Sequence, residues 1–115
     1  MVKSVLSVKH QGLHDWAIQR ISAIVMAVYS LGLMTYFVTH SGLSFAEWHT
    51  LFSQTWVKVC TLLFTFALLY HAWVGMWTIF TDYVKPFALR AVLHVLVLLM
   101  LSACFIWAFT ILWSV

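Results

Sequence analysis

The chain has 115 residues, 64% of them hydrophobic and 8% charged, with a formal charge of +3. A soluble domain carries about a quarter charged residues; nine Asp, Glu, Lys and Arg side chains cannot coat a water-facing surface of this size, which excludes a soluble domain and a disordered chain and leaves an integral membrane protein. Three acids, Asp15, Glu47 and Asp82, are too few for an autonomous hydrolase, and the scattered positive charge suits membrane orientation and anionic headgroups rather than nucleic acid.

In chain order, the first apolar run is Ile21 to Thr39. The polar stretch before it, and the lack of a small-residue cleavage pattern after it, make it a span rather than a cleaved signal peptide. In the connection that follows, Ser44 and Glu47 have the S-x-x-E spacing of a capping box. Phe45, Trp48, Phe52 and Trp56 then recur at spacings of three and four, on one helical face. A short helix in the outer interface, running into the second span, is expected; an early start of that span is the alternative. The second run is Val59 to Phe80. A tight connection, Thr81 to Pro86, follows, with Pro86 suited to the first turn of the next helix. The third run is Ala91 to Val115, so spans two and three should form an antiparallel hairpin.

The runs are continuous rather than alternating, and each as a helix covers a hydrocarbon core of about 30 Å. The expected fold is therefore all-α: one membrane-anchor domain, residues 1–115, with three transmembrane helices at about 18–39, 57–80 and 87–113. Lys3, Lys9 and Arg20 precede span one, and Lys85 and Arg90 lie between spans two and three. The positive-inside rule then puts the N-terminus in the cytoplasm and the C-terminus in the periplasm. Lys58 dissents, and its long stem lets it snorkel to the outer interface. Cys60 and Cys104 are expected as buried reduced thiols, with a disulfide as the alternative. No zinc or iron–sulfur spacing is present, and three unbroken spans without repeats do not suit a small transporter.

Ionisable residues at membrane depth are functional candidates, and His71 and His94 qualify. His71 lies about 16 Å of helix rise from Asp82, near mid-membrane. Ala67 and Gly75, four residues to either side, share its face and leave room for a flat slot. A porphyrin with an imidazole aimed at its iron fits such a slot; a helix–helix hydrogen bond and a proton relay are the alternatives. His94 has similar depth, and is either a second ligand on the same haem or a polar packing residue. Near the inner surface lie His14, Asp15, Arg20, Asp82, Tyr83, Lys85 and Arg90. Simple headgroup anchoring accounts for most such charges. Tyr83 beside Asp82 also pairs a phenol that can donate to a quinone carbonyl with an acid that can pass protons. Arg20 and His14 can pair with haem propionates.

The stretch His71-Ala72-Trp73-Val74-Gly75-Met76-Trp77, followed by Thr81-Asp82-Tyr83-Val84-Lys85-Pro86, resembles the signature of the smaller hydrophobic anchor subunit of bacterial succinate dehydrogenase, respiratory complex II. Gly12-Leu13-His14-Asp15-Trp16, Arg20, the three-span layout and the length extend the resemblance over nearly the whole chain. It implies a non-catalytic, multi-pass subunit of a bacterial inner membrane. Its partners would be a second cytochrome b anchor, an iron–sulfur subunit and a flavoprotein subunit. One haem b would sit between the anchors, with His71 as one axial ligand and a companion histidine as the other, which makes His94 a packing residue. His14 and Arg20 would lie near the propionates, and Tyr83, with Asp82, at the ubiquinone. The alternatives are the equivalent anchor of a fumarate reductase using menaquinone, and a purely structural anchor without haem.

Overall fold

The computed structural model describes the backbone of residues 2–115 and the side chains from residue 12 onward. Four helices follow one another: α1 Val2–Thr39, α2 Phe45–Ser53, α3 Thr55–Tyr83 and α4 Phe87–Trp113. Gly12–Thr39, Thr55–Tyr83 and Phe87–Trp113 are long and apolar enough to cross a membrane. Helices are the expected outcome, because a segment in hydrocarbon must satisfy its own backbone donors and acceptors. No strand occurs among the described residues.

The packing is centred on α3, with α1 against one side and α4 against the other. Among the described residues, two interhelical hydrogen bonds join α1 to α3. The Tyr29 hydroxyl lies 2.7 Å from Thr61 Oγ1, whose proton goes to the Val57 carbonyl; Ser22 and His71 make the second. Such bonds are worth about 0.6 to 2 kcal/mol each in a membrane. Tyr29 also stacks on Phe64, with ring centroids 4.5 Å apart. On the other side of α3, Phe66 meets Phe105 edge-on at 6.3 Å.

The expected hairpin of α3 and α4 is present, with a tighter turn. Thr81, Asp82 and Tyr83 continue α3, and only residues 84–86 connect the helices. Pro86 stands just before α4 as its N-cap, with φ −64, where its missing N–H costs nothing. The expected short helix is also present, as α2. Ser44 Oγ accepts from the Glu47 N–H, and Glu47 Oε2 accepts from the Ser44 N–H at 2.7 Å, completing the capping box. Gln54, in extended conformation, separates α2 from α3. That break resets the helical phase, so Trp56 leaves the face of Phe45, Trp48 and Phe52. Trp48 and Phe52 stack at 5.6 Å, and Trp48 reaches Phe37 of α1. Trp56 instead donates to Gln54 Oε1.

Little of the surface is hidden. Val57, Ala67, Val97 and Leu112 are the buried hydrophobic residues among those described, and Ser22 is the buried polar one. Cys60 and Cys104 are free thiols on the outside of the helices, not buried as expected, because three helices ranged about α3 have no interior large enough to take them. Lys58 reaches the far end of α4. Its Nζ donates to the Val115 carbonyl at 3.2 Å and lies over the Trp113 ring.

Candidate functional site

His71 lies near the middle of α3 with its ring turned toward α1. Its Nδ1 is 3.0 Å from Ser22 Oγ. The Ser22 hydroxyl itself donates to the Gln19 carbonyl at 2.9 Å. A hydroxyl has one proton to give. With that proton on Gln19, Ser22 Oγ can only accept from His71. In a neutral imidazole this arrangement favours the proton on Nδ1 and a lone pair on Nε2.

His71 opens on a groove of about 420 Å³ between α1 and α3. Asp15, Gln19 and Arg20 line it from α1; His71, Val74 and Thr78 line it from α3. Arg20 lies over the Trp16 ring, 5.6 Å from its centroid. The groove thus joins one imidazole to a guanidinium and a carboxyl group at its end nearer the α3–α4 turn. Gln19 Oε1 is buried there with no partner among the described residues. His14 is outside the groove lining; its Nδ1 is 3.7 Å from Asp15 Oδ1, and both side chains are well exposed. Residues 15, 16, 19, 20 and 23 form one stripe of α1 at spacings of three and four, and His14 falls off its edge.

The slot expected around His71 is open on one side. A Cβ placed on Gly75 would meet nothing within 4 Å, so α3 is flat and accessible there. Ala67 is 8% exposed and closed off by the chain's own packing. Asp82 lies three turns beyond His71, about 16 Å along the axis, and the helical period returns it to the face of His71 and Thr78. Tyr83, the next residue, is 79% exposed.

His94 occupies the opposite side of α3. Its ring stacks on Trp77 at 4.3 Å and an interplanar angle of 12°. Trp73 and Phe80 close the box at 5.9 and 5.4 Å. Its Nε2 is buried without a partner among the described residues. Since His71 faces α1 and His94 lies between α3 and α4, the two cannot clamp one haem. A second groove of about 430 Å³ between α3 and α4 is lined by Phe66, Trp73, Leu98, Phe105 and other mainly apolar side chains, and brings no ligating nitrogen.

The donor set limits what the α1–α3 groove can hold. Among the described residues no three His, Cys, Asp or Glu side chains gather to hold a bare metal ion. A metal at His71 must therefore bring most of its ligands with it, as porphyrin iron does. The open Gly75 face, the free Nε2 and the nearby guanidinium suit a flat, acid-bearing macrocycle. Ser22, Gln19 and the aromatic box around His94 carried no signal in the sequence. Their roles depend on which faces α3 turns to its neighbours.

The chain matches the family described as succinate dehydrogenase/fumarate reductase transmembrane subunit over residues 3–112. It is 44% identical over 103 residues to a protein of Coxiella burnetii, covering 90% of each chain. It is 33% identical over 96 residues to a protein of Rickettsia felis, covering 81% of this chain and 78% of that one. Both relatives are named succinate dehydrogenase hydrophobic membrane anchor subunit.

Proposed function

The chain belongs to the succinate dehydrogenase/fumarate reductase transmembrane subunit family, and we propose that it serves as the hydrophobic membrane anchor of a bacterial succinate dehydrogenase. Three apolar helices make it a multi-pass membrane protein. The names of its two relatives favour succinate dehydrogenase over fumarate reductase. In this role it has no succinate-oxidising centre of its own. It joins a second cytochrome b anchor, and the pair holds the iron–sulfur and flavoprotein subunits at the cytoplasmic face of the inner membrane.

In the same reading the anchors share one haem b. The group takes up and returns single electrons when bound. His71 offers Nε2 to it, and Arg20 offers charge-assisted donors to a propionate, with His14 a further donor nearby. The observation that carries this reading is the contact of His71 Nδ1 with Ser22 Oγ, whose own proton goes to the Gln19 carbonyl; it favours Nε2 as the nitrogen available in the groove. At the α3–α4 turn, Tyr83 and Asp82 serve ubiquinone. The Tyr83 hydroxyl donates to a carbonyl oxygen of the quinone. Asp82, exposed beside it, exchanges protons with water. The work of these residues is positioning.

Tyr83→Phe tests the quinone assignment, because it keeps the ring and removes one donor. Losing a hydrogen bond that strengthens as the oxygen gains charge costs about 1–3 kcal/mol, roughly fivefold to 150-fold in rate. Succinate-to-ubiquinone turnover should fall by that factor. Succinate oxidation with a soluble dye that takes electrons upstream should be unchanged. The haem band should also be unchanged, since Tyr83 is about 18 Å of helix rise from His71. Normal quinone turnover would remove the hydroxyl from the site, and equal loss of both activities would point to failed assembly.

A further inference from the structure

We infer that Ser22 is a positioning residue for His71: its hydroxyl, tied to the Gln19 carbonyl, selects Nε2 as the ligating nitrogen and fixes the plane of the imidazole. The inference rests on the reading of His71 as an iron ligand. A neutral histidine can carry its proton on either nitrogen, and only the deprotonated one can bind metal. Within this chain the choice is made before any ligand arrives. The Ser22 hydroxyl is 2.9 Å from the Gln19 carbonyl and 3.0 Å from His71 Nδ1. Its proton is taken by the carbonyl, so its lone pair is presented to the ring. A serine bonded only to the ring could turn its O–H toward Nδ1 and stabilise the opposite tautomer. The Gln19 carbonyl blocks that turn.

Burial gives the contact its weight. Ser22 is 6% exposed, the one buried polar residue among those described. Low exposure limits competition from bulk water for its hydroxyl and restrains a ring donor bonded to it. Ser22 belongs to α1 and His71 to α3, so the helix interface itself sets the ring orientation. Metal-bound histidines characteristically donate their second N–H to an oxygen in this way, which raises ligand basicity; losing that partner costs about 10- to 100-fold in metal affinity.

Ser22→Ala removes the acceptor with little change in volume and suits a helix interior. The measurements are made on the assembled complex: the haem-to-flavin ratio after detergent extraction, the low-spin ferric EPR signal and the haem midpoint potential. The expected result is a loss of haem affinity of about tenfold. The EPR signal should broaden or shift as the ring turns, and the midpoint potential should rise, because a less basic imidazole favours ferric iron less. Ser22→Thr, which restores the hydroxyl, should bring the signal and potential back toward wild type. Dye-linked succinate oxidation reports intact assembly. His71→Ala is the control for the underlying reading. If His71→Ala leaves the EPR signal and potential unchanged, His71 is not a ligand and both readings fail. If His71→Ala changes them and Ser22→Ala does not, the ligand stands and the positioning role of Ser22 is overturned. A drop in complex yield with an unchanged signal in the haem that remains overturns it equally, since it marks Ser22 as helix-packing glue.

Discussion

His71 and His94 lie at similar depth in adjacent helices of one hairpin, and their surroundings give them different chemistry. His71 faces α1, sets Nδ1 3.0 Å from Ser22 Oγ and borders an open groove. His94 is enclosed by Trp73, Trp77 and Phe80, with Nε2 buried. Burial of Nε2 within the packed α3–α4 hairpin leaves no open space beside it for a haem. His71→Ala should therefore alter or remove the reduced b-type absorption band of the complex. His94→Ala should leave it nearly intact and lower thermal stability by about 1–3 kcal/mol through lost packing. Difference spectra of the two purified variants check this, and a band altered only in His94→Ala would reverse the assignment. Both histidines stood out in the sequence as rare ionisable residues in apolar runs. Which neighbouring helix each one faces was not legible there.

Among the elements, α2 was the most legible. Ser44 and Glu47 announce its start, and the Phe45, Trp48 and Phe52 face turns the segment back against α1 and the end of α4. The Glu47 carboxyl is held below the ordinary glutamate range, first by the Ser44 backbone N–H and then by its hydroxyl. A depressed folded-state pKa means the capping contribution is fully present above the unfolded glutamate pKa. It fades as pH falls through the lower folded value. The protection of the α2 amides, measured relative to their slower intrinsic exchange at low pH, should accordingly fall at acid pH while that of α3 is unaffected. Ser44→Ala should loosen the same amides at neutral pH by about 1 kcal/mol, and equal protection in the variant would deny the cap its role. The end of α2 was less legible. The aromatic spacing continues through Trp56, but Gln54 is extended, and no glycine or proline marks the break.

At the scale of the molecule, 8672 Å² of surface is accessible, against about 6,400 Å² for a compact soluble chain of this mass. Leu31, Val38, Leu63, Leu99, Ile106 and Trp107 are all more than half exposed. Such a surface is stable only against lipid or another apolar chain, in keeping with an anchor that works within a complex. The charges orient it. Arg20, Lys85 and Arg90 lie near the α3–α4 turn, and the α1–α2 connection carries neither Lys nor Arg, so that turn should face the cytoplasm. A reporter that fluoresces only in the cytoplasm, fused after Val115, should stay dark, and a bright fusion would invert the topology. Lys58 does not oppose this orientation, because the Val115 carbonyl and the Trp113 ring hold its ammonium at the far end.

The sequence by itself determined the solvent, the helices and the candidate chemistry. With so few charges the chain must live in hydrocarbon, hydrocarbon forces its backbone into helices, and a histidine, an arginine and a Tyr–Asp pair stand out as polar groups at readable depths. Tertiary structure decided how these residues are shared out. It placed α3 between α1 and α4, set His71 and His94 on opposite faces, gave Asp15 rather than His14 to the groove and brought Ser22 to His71 Nδ1. Periodicity assigns a residue to a face of its own helix. It does not say which neighbour that face will meet, because in a membrane every face is apolar and the pattern that marks a buried side in water is missing.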